Sequence, residues 1–205
     1  MPKHQSDTTI VLASNNPGKL REIQNLFSDL PYKIIPQQEF FVPEIVETGL
    51  TFIENAILKA RNAAQYSKLP VIADDSGLEI DILNGEPGIH SARFAGAKAT
   101  SSANIAKVLE HLKDVPESKR NACFYCIMVY LKHANDPVPI IAEGRMQGRI
   151  LKQAQGTKGF GYDPIFYVPS HKCSAAELPL EIKNKLSHRA QALQKLLQQL
   201  KQYGF

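Results

Sequence analysis

A chain of 205 residues with 43% apolar and 21% charged residues can bury one substantial core and has the balance of an ordinary globular protein. Its net charge of +4 and pI near 8.9 suit an anionic ligand, but no long basic run is present of the kind that follows a nucleic-acid backbone. Three cysteines exclude a disulfide framework, the start MPKHQSDTT carries no apolar leader-like run, and no stretch approaches the roughly 18 apolar residues of a membrane span, so the expectation is a cytoplasmic protein without a membrane partner.

In chain order, Thr9 to Ala13 reads as a first strand that runs into the polar turn Ser14-Asn15-Asn16-Pro17-Gly18-Lys19. A helix follows with Leu20, Ile23, Leu26 and Phe27 on one face, then a short strand over Lys33 to Ile35. Residues 36 to 50 form a loop carrying Glu39, Glu44 and Glu47. Thr51 can cap the next helix, with Glu54 completing a capping box, and Phe52, Ala56, Ala60 and Ala63 give that helix a narrow face as far as about Ser67. Val71 to Ala73 is a buried strand ending in the paired carboxylates Asp74 and Asp75. Ser76-Gly77 is expected to break it before Leu78 to Ile82 resumes with a period of two, and turns follow at Asn84-Gly85 and Pro87-Gly88.

The later half predicts a helix from about Ser102 to Leu112, stopped before Pro116, and a long apolar strand over Asn121 to Lys132. Residues 139 to 146 would pair with it antiparallel through the turn at 133 to 137. A glycine-rich loop, Gly156 to Asp163, leads into a strand over Pro164 to Val168, and the end is helical with Leu193, Leu196, Leu197 and Leu200 at core spacing. Cys123 and Cys126 form a C-x-x-C, but residues three apart on a strand face opposite sides, which argues against a shared metal or redox bridge. Strands and helices alternate early and a hairpin comes late. The fold class is α/β with a mixed sheet rather than a purely parallel one, in one domain over residues 1 to 205.

Four groups of residues carry chemistry. The turn from Ser14 to Lys19 joins a strand to a helix start, a geometry that offers N–H groups to an anion, and Lys19 adds a charge. It is not a Walker A motif, since Ala13 and Leu20 stand where that motif needs Gly and Ser or Thr. Glu47, Asp74 and Asp75 are an acidic set suited to a hard cation such as Mg²⁺, and Lys59, twelve residues on from Glu47, could reach a phosphate. The loop Gly159-Phe160-Gly161-Tyr162-Asp163 offers close backbone approach, an aromatic surface for a base and an acceptor. Ser187 can cap the terminal helix, leaving His188 and Arg189 in its first turn beside Lys183; cations there are unfavourable unless an anion or carbonyl meets them.

These motifs, in the order ASNNPGKLREI, ETGLTFIENAILKA, ADDSGLEID, GEPGIHSARFAG, GFGYDPIF and SHRAQAL, resemble those of the inosine triphosphate pyrophosphatase family over nearly the whole chain. The resemblance implies an elongated mixed α/β fold of two lobes around a nucleotide cleft, a homodimer, and hydrolysis of ITP, dITP and XTP to monophosphate and pyrophosphate. It implies that Ser14, Asn15, Asn16, Pro17, Gly18 and Lys19 bind the triphosphate and that Glu47, Asp74 and Asp75 hold Mg²⁺. Asp75 would also accept the proton, with Ser76 touching substrate. Lys59, Phe160, Gly161, Tyr162, Asp163, Lys183, His188 and Arg189 match the remaining nucleotide contacts. His188 and Arg189 would donate to O6 of the base, and the Asp163 region would accept from N1–H. Lys158, and Lys172-Cys173-Ser174 in place of the usual Gly-Lys-Thr/Ser, depart from the family pattern. A pyrophosphatase for other modified nucleotides, and a nucleotide- or RNA-binding protein without turnover, are the alternatives. No stable nucleic-acid partner is expected.

Overall fold

A computed structural model describes residues 8–28 and 30–202; the N-terminal segment read above for a leader lies outside them up to residue 7. Seven strands form one sheet in the order β2-β1-β3-β4-β5-β6-β7. The first strand, β1 (Thr8–Ala13), is parallel both to β2 (Tyr32–Pro36), with Ile10 opposite Ile34, and to β3 (Val71–Ile80), with Leu12 opposite Ile72. Ile10 through Ala13 and Val71 through Ala73 are buried without interruption, the pattern of parallel strands covered on both faces. At the other end, β5 (Ile140–Ile150) is antiparallel to β6 (Phe166–Val168), which is antiparallel to the short β7 (Cys173–Ser174). Between them in the order lies β4 (Asn121–Leu131). The sheet is therefore mixed.

The chain divides into two compact units. One comprises Met1–Asp75, Ile127–Ala142 and Ala192–Phe205; the other comprises Ser76–Cys126 and Glu143–Gln191. In the first, α1 (Pro17–Phe27) begins with Pro17 at a position where a missing N–H costs nothing, and buries Ile23 and Phe27. Leu20 and Leu26, expected on the same face, are only half-buried. Helix α2 (Phe52–Ser67) starts at the full capping box between Thr51 and Glu54 and lies against β1 through Ala56, Ala60, Ala63 and Ala64. Small side chains on that face let the helix approach the sheet closely.

The second unit holds a core of Leu78, Ile80, Val108, Leu112, Phe124, Met146, Ile150, Ile165 and Phe166, among others. Helix α3 (Ser101–His111) is capped by Thr100, whose hydroxyl accepts from the Ala103 N–H. Buried Arg120 donates to the carbonyls of Leu112, Val115 and Leu151, tying the end of that helix to the chain that follows β5. The chain end holds α4 (Leu180–Leu186) and α5 (His188–Gln202), and Ser187 caps the latter by accepting from the Ala190 N–H.

One expectation fails here. Ser76-Gly77 does not break the strand: β3 is continuous through ten residues. Local turn propensity loses to membership of the sheet, where β3 lies between β1, opposite Val71 to Ala73, and β4, and the Leu78 N–H is satisfied by the Ser91 hydroxyl at 2.8 Å. Among the described residues no helix is long and apolar enough to cross a membrane. Cys123 and Cys126 lie on β4 and are buried, and neither is in a disulfide.

Candidate functional site

The first unit gathers the polar turn and the acidic set. Asn16 caps α1: its Oδ1 accepts from the Gly18 N–H at 2.9 Å and the Lys19 N–H at 3.2 Å. The two backbone donors expected to face an anion are therefore already held by the cap. Asn15 Oδ1 receives the Gln37 side-chain amide at 2.7 Å, and Ser14 Oγ receives the Asn16 N–H at 3.3 Å. With those oxygens turned inward, the amide NH₂ groups of Asn15 and Asn16 are left as the donor ends of the turn. Gln37 escaped the sequence reading because nothing local marks a residue that acts 22 positions away.

Lys19 forms an ion pair with the buried carboxylate of Asp74. Lys59 does not point to open solvent. Its ammonium lies 2.5 Å from Asp75 Oδ1, 3.1 Å from Glu47 Oε1 and 2.9 Å from the Asp74 carbonyl oxygen. The loop that carries Glu47 is tied to α2 by fully buried Asn55, six residues beyond Gly49: Asn55 Oδ1 accepts from the Gly49 N–H at 2.8 Å, and its NH₂ donates to the Gly49 carbonyl at 3.4 Å. A Cβ at Gly49 would come within 2.5 Å of Glu54 Cβ and 2.7 Å of Asn55 Oδ1, so the loop closes on the helix only with glycine there.

Burial pushes the Asp75 carboxyl above its ordinary range, although the charges of Lys59 and Lys19 hold it partly down. Burial alone would lower the Lys59 ammonium, but Asp75 and then Glu47 outweigh it and keep Lys59 above its usual value. Three carboxylates against two lysines leave this group one negative charge in excess. Among the described residues no three His, Cys, Asp or Glu side chains are gathered as a ready metal cage. Glu47 and Asp75 nevertheless direct oxygens at one cation, the Lys59 ammonium, and an all-oxygen donor set suits a hard divalent ion. Asp74 differs from them, since its carboxylate is taken by Lys19.

The second unit gathers the aromatic loop and the basic turn. Buried Asp163 accepts from the Phe160 N–H at 2.8 Å and holds the Lys183 ammonium at 2.5 Å. Lys183 and Arg189 lie 5.4 and 5.6 Å from the centre of the Phe160 ring. Arg189, 1% exposed, donates to Ser76 Oγ at 2.9 Å. The His188 ring stacks on Phe124 with centroids 4.9 Å apart, and Phe124 in turn meets Phe166. Tyr162 turns inward, its hydroxyl donating to the Ser91 carbonyl at 2.8 Å. Gly161 has a φ of +61° with open space where a side chain would stand. Lys183 is buried, whereas Lys185, Lys195 and Lys201 are exposed. Phe124 was missed because an apolar residue in a long buried strand carries no sign of which ring it supports.

The structure is thus a mixed-sheet α/β protein with a capped polar turn and an acid–lysine group in one unit and an arginine–lysine–aromatic group in the other. The chain belongs to the Ham1 family, whose model matches residues 10–199. It is 54% identical over 191 residues to the dITP/XTP pyrophosphatase of Vibrio parahaemolyticus, covering 93% of this chain and 96% of that one. To the dITP/XTP pyrophosphatase of Salmonella typhimurium it is 55% identical over 192 residues, covering 94% and 98%. Among solved structures it resembles a Ham1 protein from Coxiella burnetii, with a TM-score of 0.87, 52% identity and coverage of 95% and 99%. The Staphylococcus aureus Ham1 protein is similar with a TM-score of 0.83, 42% identity and coverage of 96% and 100%.

Proposed function

We propose that this protein hydrolyses deaminated purine nucleoside triphosphates, ITP, dITP and XTP, to the nucleoside monophosphate and pyrophosphate. The observation that supports this most is the acid-rich group of Glu47, Asp74 and Asp75 around Lys19 and Lys59, in a chain that matches named dITP/XTP pyrophosphatases along almost their whole length. A protein that only bound nucleotides would gain nothing from carboxylates that repel phosphates.

The amide donors of Asn15 and Asn16, with Lys19, receive the triphosphate. Glu47 and Asp75, with Asp74 beside them in sequence, would hold Mg²⁺, which would supply neutralisation of the phosphate charge. Asp75 takes a proton from water as its oxygen bonds to the α-phosphorus; the bond from that phosphorus to the bridging oxygen breaks, and pyrophosphate leaves with the electron pair. An aspartate raised by burial is a stronger base than an exposed one, which suits this role. Phe160 supports the base, and Lys183, His188 and Arg189 surround it. The protein works in the cytoplasm as a homodimer, without a nucleic-acid partner.

Hydrolysis of ITP in ¹⁸O-labelled water tests the reaction type. The expected result is one label in IMP and none in pyrophosphate. Label in inorganic phosphate, with IDP as the other product, would assign attack to the γ-phosphorus; binding of ITP without any product would favour the reading without turnover.

A further inference from the structure

Gly159 adjoins the aromatic loop, and its place is constrained twice. Its φ is +78°, a conformation that a side chain makes costly, and a Cβ there would lie 2.1 Å from Asp163 Oδ2, 2.9 Å from Asp163 Cγ and 3.0 Å from Lys183 Nζ. Neither group can yield easily. Asp163 and Lys183 are both buried and joined at 2.5 Å, and the same Oδ2 also accepts from the Phe160 N–H at 2.8 Å. An oxygen already holding a backbone amide and an ammonium is poorly placed to receive a third donor from a base. The ammonium, in contrast, has three N–H groups and stands with Arg189 beside the Phe160 ring.

We infer that Asp163 is a positioning residue that acts through Lys183, and that Gly159 is the residue whose bare Cα admits this ion pair, beside the base contacts that the family resemblance already gives to Lys183 and Arg189. The inference rests on the nucleotide reading above and changes its base end. A 6-keto oxygen receives N–H donors from two cations, whereas the 6-amino group of adenine meets donor with donor. Asp163 sets where the ammonium stands and does not read N1–H itself.

The test is a double-mutant cycle on the ratio of kcat/KM for ITP to that for ATP, with Asp163→Asn, Lys183→Met and the double variant, and with urea midpoints measured alongside. Each single variant should lower the ratio about ten- to hundredfold. The double variant should be no worse than Lys183→Met alone, within about threefold, because groups that act as one are not additive. Losses that add would make Asp163 an independent reader and overturn the inference. If Lys183→Met does not fold, the same cycle with Gly159→Ala and Asp163→Asn keeps both tests: coincident losses support the shared route, and an unchanged ratio in Gly159→Ala overturns it. A wild type with no preference for ITP over ATP would instead sink the nucleotide reading, so the two failures are distinguishable.

Discussion

The two lysine–carboxylate groups, one in each unit, differ in their stoichiometry. Around Lys19 and Lys59 stand Glu47, Asp74 and Asp75, more acid than base, and the oxygens of Glu47 and Asp75 converge on one ammonium. Lys183 is paired with Asp163, and only a glycine at position 159 leaves room for the two, since a Cβ there would meet both. Surplus buried negative charge is costly and marks a place that a further cation would stabilise. The enclosed Asp163–Lys183 pair serves to hold one tool in position. The first arrangement suits chemistry and the second suits recognition, although both are lysine against aspartate at 2.5 Å.

The largest effect expected from this contrast is at Asp75. Asp75→Asn should lower kcat by ~10²–10⁴-fold while ITP binding survives, because the amide cannot take a proton. Single-turnover rates and calorimetric binding on the same preparation measure both. Near wild-type turnover would place the base elsewhere.

Charge in the first group can also be read by titration. Because burial raises Asp75 and the Lys59 ammonium opposes that rise, Lys59→Met should move the carboxyl further up. Carbon NMR titration of the metal-free protein checks it, and a downward shift would contradict the arrangement. The stability linkage has the same sign. A carboxyl raised in the folded state adds stability below its unfolded pKa of ~3.9 that is lost as pH rises through the folded value. Metal-free Asp75→Asn should therefore match wild type near pH ~3 and exceed it at pH ~7 in urea unfolding; equal curves at both would remove the burial argument.

Gly49→Ala sharpens the comparison from the side of the loop. Its Cβ would collide with Glu54 and Asn55, so a loss of ~1–3 kcal/mol is expected in urea unfolding, with turnover reduced because Glu47 shifts. Unchanged stability would show that the loop is not held by Asn55. The smallest effect is expected at Lys172, which sits at a φ of 54° in the left-handed region that favours glycine. Lys172→Gly should stabilise the second unit by up to ~1 kcal/mol through relief of a left-handed backbone. A loss of stability would mean that the lysine side chain makes up for its conformation.

Much of this contrast was legible in the chain. The capping box at Thr51, the Asn16 turn after the first strand and the Ser187 cap are local rules, and local rules survive folding. The candidate residues could be named because they occur in ordered motifs. Their partners could not. Nothing near Lys59 says that its ammonium meets Glu47 and Asp75 instead of solvent, and nothing near Asp163 says that Lys183, 20 residues on, has taken it. Gln37 on Asn15 and Phe124 under His188 are long-range contacts of the same kind. Ser76-Gly77 misled in the opposite direction, since a turn-forming pair lies inside a continuous strand of the sheet.

The measurement that bears most directly on the function is pyrophosphate release from a panel of ITP, dITP, XTP, ATP, GTP and a modified pyrimidine triphosphate, as kcat/KM for the wild-type protein with Mg²⁺. The three deaminated purines should exceed ATP by on the order of 10²–10⁴-fold, the span of two mispaired buried groups at ~1–3 kcal/mol each. Equal rates on ATP and ITP, or a preference for the modified pyrimidine, would contradict it.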